Sequence, residues 1–337
     1  MAPGQGERRT EFDEASAARR LRDSLIFLVL LAALVTGLIL AVPSLRGVGD
    51  AIAHMQTAWL ALAVALEVLS CLGYVIAFLQ VFEHSPVRLG ARVALTELAF
   101  GSALPLGGAG SIAVGGWLLV QRGAPLGRVA QRSLVLFLLT SAINVITLVA
   151  VGCGLFLGLL PGSPRPLLSL VPAAIGAIVL AGFVMLSRMA PRPEGSPPAS
   201  RLRSLLLELG RGSRETRRLL TSPDWRLSGA IGYLWFDIGV LVACFAALGP
   251  VPPLASIVLA YQLGYLSNLV PIPGGIGILD ASLIALLVLY GVDPTSAVAA
   301  ALVYHAMVLW IPALWGTGAF LFLQRMDRPP AGWEDDL

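Results

Sequence analysis

The chain contains no lysine and few charges of any kind: charged residues make up 13% of its 337 positions. Soluble globular domains carry about 25%, so a solvated globule is excluded. Cysteine is scarce as well. Cys71, Cys153 and Cys244 stand inside apolar runs at unrelated spacings, which gives no disulfide framework and no metal signature and leaves them as small packing residues. The three histidines, His54, His84 and His305, fall in different segments, so no metal site is expected. The H-E-x-x-H, G-x-S-x-G and P-loop patterns are missing too, and with them the common signatures of hydrolases and nucleotide enzymes. Neither an enzymatic activity nor a cofactor is expected.

What the chain has is apolar length. Hydrophobic residues make up 57% and the mean hydropathy is +0.82. The runs at 24–42, 59–82, 133–160, 166–187, 229–248 and 297–323 are long enough to cross a bilayer, for which about 18 residues suffice. An all-α polytopic membrane protein follows. Residues 1–23 mix acids with arginines, and no A-x-A site follows "LILAVPS", so the segment reads as a cytoplasmic lead into a retained helix.

All 23 basic residues are arginine, clustered at 8–22, 88–92, 122–132, 188–226 and 325–328, with only Arg46 and Arg165 elsewhere. The positive-inside rule makes the clusters cytoplasmic and the loops near 43–56, 161–165 and 249–253 external. Both termini, including the tail 324–337, are then expected in the cytoplasm of a cell-membrane protein. Arginine flanking membrane helices needs no nucleic acid to explain it.

This map isolates an apolar stretch, 93–121, between two cytoplasmic clusters. Each half is about a dozen residues, too short to span ~30 Å at 1.5 Å per residue. A re-entrant hairpin fits, with "LPLGGAG" (104–110) at its tip. The stretch "NLVPIPGGIGILD" (268–280) carries the same break inside another apolar run, and "GAP" (123–125) is echoed by "GVDP" (291–294). Upstream, Glu67 and Asp237 stand at comparable places. The chain therefore reads as two repeats, 24–163 and 164–323, with hairpins at 93–121 and 254–290 and a cytoplasmic loop at 188–228. Each repeat has three spanning helices and one hairpin, in opposite orientations: six full spans and two hairpins, or about eight crossings by hydropathy. Inverted-topology repeats are common in secondary transporters.

Broken backbone at membrane depth is tolerated where protein buries it or where it lines a wet cavity. The tip residues Pro105, Gly107, Gly108 and Gly110, and Pro271, Pro273, Gly274, Gly275 and Gly277, thus have two readings. They wall a cavity whose half-helix N-termini suit an anionic group, or they form a glycine-rich packing surface.

At these residues a resemblance enters. "PIPGGIGILDASLIALLVLYGVDPTSAVAAALVYHAMVLWIPALWG" (271–316) resembles the C-terminal half of the lysylphosphatidylglycerol synthase transmembrane family, and "LPLGGAG…RGAP" is similar to its N-terminal counterpart. That family includes the flippase domain of the multiple peptide resistance factor. The resemblance covers roughly 24–323 and implies a flippase-like translocator of a membrane phospholipid or lipid-linked substrate. Two departures qualify it. Only 14 residues follow position 323, so the factor's aminoacyl-transfer domain is not expected. Members commonly carry arginine after the tyrosine of the last helix, where this chain has His305. Glu67 resembles an acidic position considered important in the family.

Ionisable residues within membrane segments are expensive, and each is a functional candidate by default. Glu67, Glu97, Asp237, Asp280 and His305, with Asn268 as a polar neighbour, are the candidates for the substrate path or headgroup site. They line a path, bind a headgroup amine or carry a proton; the alternative is a structural ion pair or helix–helix hydrogen bond. In the loop 188–228, the leucines at 202, 205, 206 and 209 share a helical face interspersed with arginine. That pattern fits an interfacial helix on anionic lipid at the cytoplasmic face, or an ordinary basic linker. Three roles follow: lipid translocator, accessory subunit of an envelope-synthesis system, or lipid-processing enzyme. The lipid, its direction of movement and the oligomeric state are not encoded legibly.

Overall fold

A computed structural model of the chain describes residues 46–103, 107–162, 165–188, 201–265 and 278–325, with isolated positions between 19 and 30. The expected span at 24–42, the segment before it and most of the tail fall outside the described residues. Those residues form eleven helices: α1 (Arg46–Ala53), α2 (Thr57–Val81), α3 (Val87–Ala103), α4 (Gly107–Gln121), α5 (Leu126–Phe156), α6 (Pro166–Arg188), α7 (Arg201–Thr221), α8 (Leu227–Leu248), α9 (Leu254–Tyr265), α10 (Ile278–Leu289) and α11 (Pro294–Gln324). Helices α2, α5, α6, α8 and α11, 22 to 31 residues each, are long and apolar enough to cross a membrane. The protein is a multi-pass helical membrane protein.

Helices α2 and α8 form the centre. Gln56 N–H donates to the Ala247 carbonyl at 3.0 Å, and the Ser70 hydroxyl donates to the Tyr233 carbonyl at 2.9 Å. Further along, Gly73 meets Gly229 and Gly229 meets Ile76. Advancing along one helix retreats along the other, so the two cross antiparallel. Small residues make the contact close: a Cβ on Gly73 would lie 2.7 Å from the Gly229 carbonyl oxygen and the Tyr233 nitrogen. Close backbone approach of this kind is how membrane helices gain van der Waals contact without a hydrophobic driving force between them. Helix α3 packs in the same manner on α11, where Gly316 faces the Leu95 carbonyl and Ala99.

The two expected hairpins are pairs of short helices. Helix α3 begins six residues before the expected start and ends at Ala103, and α4 resumes at Gly107. The outer ends of this pair lie together: Arg92 stacks over the Phe322 ring at 5.5 Å, and the Arg122 guanidinium donates to the Leu323 carbonyl at 3.1 Å. The second pair, α9 and α10, starts and finishes at the other end of the bundle. Gly162 approaches Pro253 there, Arg165 donates to the Leu289 carbonyl, and the Tyr290 hydroxyl donates to the Leu168 carbonyl at 2.6 Å.

Each pair is closed by a similar turn. Gly123 (φ +102°) and Gly291 (φ +92°) adopt the left-handed conformation that glycine reaches without a Cβ clash. The residue after each then bonds back to a carbonyl five positions earlier, Ala124 to Leu119 at 3.2 Å and Val292 to Leu287 at 3.0 Å. These are Schellman closures, with Ala124 and Val292 buried as the motif's apolar contact. The "GAP" and "GVDP" motifs thus share one backbone role.

The loop 188–228 holds a helix that docks on protein. In α7 the small face packs: Gly212 lies against Leu134, Ser213 and Thr216 are buried, and Glu215 forms an ion pair with Arg132 of α5. Arg132 also reaches Glu83, in the α2–α3 turn, at 3.8 Å. The leucine face points outward instead, with Leu205 and Leu206 exposed.

Helix α11 starts on a capped turn. Ser296 N–H and its hydroxyl donate to Asp293 Oδ2 at 2.9 and 3.0 Å, with Pro294 at the first helical position, an arrangement that satisfies orphan N-terminal donors. The Ser296 backbone bond chiefly holds the Asp293 carboxyl below its ordinary range. A depressed folded value means the cap's stabilisation is full above the unfolded pKa and is lost as pH falls through the folded one. Asp293→Ala is therefore expected to lower the thermal midpoint at neutral pH and lose that effect in acid, while Asp293→Asn, itself a good cap, stays near wild type. Thermal unfolding of both variants against pH checks this.

Candidate functional site

Three acids are buried where α2, α3, α8, α9 and α11 converge. Glu97 of α3 is 1% exposed, Glu67 of α2 4% and Asp237 of α8 7%. The Tyr74 hydroxyl donates to Glu97 Oε2 at 2.6 Å. Tyr261 of α9 donates to Asp237 Oδ2, and Tyr304 of α11 donates to its Oδ1 at 3.1 Å. Each helix pair is thereby held to a central helix by one acid–tyrosine bond. In the first the acid sits on the pair and the tyrosine on the central helix; in the second the order is reversed.

Helix register explains the convergence. Tyr74 is seven residues after Glu67, two turns along the same face of α2. The antiparallel α2–α8 crossing sets Leu66 beside Gly239 and Ser70 beside Tyr233, which brings Glu67 to Asp237. Tyr74 and Tyr233 pack ring on ring at 5.0 Å, joining the Glu97 and Asp237 neighbourhoods. Glu97 itself lies over α4, occupying the space a side chain on Gly115 would need. Glu67 is the least satisfied of the three: Oε1 receives only the Cys71 thiol at 3.7 Å, and Oε2 is buried with no hydrogen-bond partner. Among the described residues no ion pair joins any of these acids to an arginine or histidine.

Of the candidates read from sequence, Glu67, Glu97 and Asp237 are brought together. His305 is half-buried on α11, one position after Tyr304. Asp280 lies in the first turn of α10, with its side chain outside the description. Gly107, Gly108 and Gly110 open α4, and their surroundings are not described. Asn268, Pro105, Pro271, Pro273, Gly274, Gly275 and Gly277 fall outside the described residues. Sequence reasoning missed Tyr74, Tyr261 and Tyr304. The seven-residue spacing from Glu67 could have found the first; nothing short of the fold pairs the other two with Asp237.

Two broken helix pairs opening to opposite ends of an apolar bundle, with a cluster of buried acids and tyrosines between them, mark a membrane-embedded protein built around an internal polar site. The chain belongs to the lysylphosphatidylglycerol synthase transmembrane family: the model of the family's TM region matches residues 25–316. A comparison with curated proteins found no match.

Proposed function

We propose that the protein translocates a lipid or lipid-linked headgroup across the cytoplasmic membrane by alternating access, without covalent chemistry. The observation that carries this is the buried acid–tyrosine cluster, which holds both broken helix pairs to one central helix crossing. A polar cluster inside a membrane bundle is expensive, which makes it a candidate for passage or coupling, and the family's link to lipid supplies the substrate class. In this reading the chain is an inverted repeat. The two pairs enter from opposite sides, and their tips at 104–110 and 268–277 wall the headgroup path. Asn268, Asp280 and His305 belong to that path, and the arginine-rich end faces the cytoplasm and its anionic lipids.

Rocking of the α3–α4 and α9–α10 pairs against the α2–α8 crossing would expose the path alternately. The acid–tyrosine bonds are the joints that such rocking must break or carry along. The test is leaflet-resolved transport of fluorescent phosphatidylglycerol by purified protein in sealed vesicles. Movement above protein-free vesicles, reduced by Asp237→Asn, is expected. No movement of phosphatidylglycerol or phosphatidylethanolamine probes would point to an accessory role, and conversion of the probe into a new lipid would make the protein an enzyme.

A further inference from the structure

We propose that Glu67 and Asp237 together bind one proton, and that exchanging this proton couples the protein's cycle to the proton gradient. The site stands on the geometry of the pair; its use in coupling rests on the translocation reading.

The cluster has an unusual balance of donors and acceptors. Asp237 accepts from Tyr261 and Tyr304, one on each oxygen. Glu67 lies across the α2–α8 crossing from it, by the register of Leu66 with Gly239 and Ser70 with Tyr233, with Oε2 buried and unpartnered. A buried oxygen left in this state is destabilising, and more so when charged. A proton on Oε2 resolves both defects: it removes one of two adjacent negative charges and turns an orphaned acceptor into a donor. Its natural acceptor is Asp237, whose oxygens retain lone pairs beyond those used by the tyrosines. Asp237 then keeps its charge under three donors, and Glu67 is neutral.

The described elements packed on the pair bring the following titratable groups. Helix α2 adds Cys71 and Tyr74, α8 adds Tyr233, and α3 brings Glu97, already bonded to Tyr74. Helices α9 and α11 bring Tyr261 and Tyr304, with His305 the next residue on α11. Between Ser133 and Phe156, α5 has no charged residue and a single thiol, Cys153. Among these side chains His305 is the only one able to carry a positive charge. A headgroup amine needs volume, whereas Glu67 and Asp237 are 4% and 7% exposed. A proton needs none.

Losing the proton sets two anions face to face across a helix crossing whose glycines leave no slack. The Tyr261–Asp237 bond ties that crossing to the α9–α10 pair. Proton release and movement of this pair are therefore linked: charge separation at the pair is relieved by rearranging the element clasped to it.

The experiment uses full-length protein in sodium-free phosphatidylcholine–phosphatidylglycerol vesicles. Infrared difference spectra on stepping the pH read the C=O stretch of protonated carboxyls. Wild type is expected to show a titrating band that is lost in Glu67→Gln, kept in Glu67→Asp and shifted in Asp237→Asn. A band unchanged in Glu67→Gln, or displaced by sodium or ethanolamine at constant pH, overturns the proposal. In the transport arm, an imposed pH gradient should change the initial rate of fluorescent phosphatidylglycerol movement several-fold in wild type and not in Glu67→Gln. Transport indifferent to the gradient overturns the coupling. A titrating band with no lipid movement leaves the proton site standing and overturns the translocation reading instead. Should Glu67→Gln elute as aggregate, Asp237→Asn carries the comparison, and a band neither shifted nor lost there overturns the proposal.

Discussion

Gly73→Val is expected to unfold the protein at a much lower temperature than wild type, or to prevent its recovery as a monodisperse species. A Cβ at this position lies 2.7 Å from the backbone oxygen of Gly229 and the backbone nitrogen of Tyr233. Backbone cannot rotate away as a side-chain end can, so the two central helices must separate. Overpacking a close contact costs about 1–3 kcal/mol, and a branched side chain wedged between two helices belongs at the upper end. Gly229→Val should behave alike, because its Cβ would meet Ile76 at 2.6 Å and the Gly73 carbonyl at 2.8 Å. The control is Gly318→Ala in α11, where nothing lies within 4 Å of the added carbon. That variant should be neutral or gain about 0.5–1 kcal/mol from reduced backbone freedom in the unfolded chain. Thermal unfolding in one detergent compares all three. Equal melting of Gly73→Val and Gly318→Ala would mean that α2 and α8 are not in this contact.

The same crossing shows how far the sequence could be read. Spanning helices were legible because a bilayer demands some twenty apolar residues in a row, and α2, α5, α6, α8 and α11 follow that pattern with ends shifted by a few residues. The breaks between α3 and α4 and between α9 and α10 were legible because proline and glycine interrupt apolar runs too short to span. The acids were legible as costly residues. Their partners were not. Tyrosine is common in membrane proteins and carries no mark that distinguishes a carboxylate-bound hydroxyl from an interfacial one. Tyr261 and Tyr304 reach Asp237 only through contacts of α8 with α9 and α11, and such contacts follow from helix packing, not from periodicity. The leucine-rich pattern of 202–209 marks only the exposed side of α7, and the docking side carried no comparable signal. Small residues at 212, 213 and 216 dock α7 on its neighbours, and small residues weigh little on any hydropathy scale.

Reversing acid and tyrosine between the two helix pairs has a consequence for dynamics. Glu97 moves with its pair, whereas Asp237 stays on the central helix and its tyrosine moves. If the pairs rock, the acid travels with the first and remains fixed for the second. A proton that removes one of the two charges of the fixed acid pair therefore acts on α9–α10 more directly than on α3–α4, and the two halves of a cycle need not share one trigger.

The clasp on the first pair gives the second large effect, a pair of destabilising substitutions that partly cancel. Gly115→Ala drives a methyl into the volume held by the Glu97 carboxyl and should force that side chain off Tyr74. Glu97→Ala removes the carboxyl, which orphans the Tyr74 hydroxyl and leaves a cavity over Gly115. Each alone is expected to destabilise by about 2–4 kcal/mol, combining overpacking or cavity formation with one unsatisfied buried polar group. In the double variant the methyl on residue 115 occupies the space the carboxyl vacated. Its cost should fall below the sum of the singles by about 1–3 kcal/mol, the range seen for residues sharing one cavity. Tyr74→Phe separates the polar contribution: it leaves Glu97 buried without its donor and costs about 1–3 kcal/mol, whereas in the Glu97→Ala background it removes the orphaned hydroxyl and should recover part of that variant's loss. Strict additivity of Gly115→Ala and Glu97→Ala would show that Glu97 does not lie over α4, and the first helix pair would then lack the clasp assigned to it.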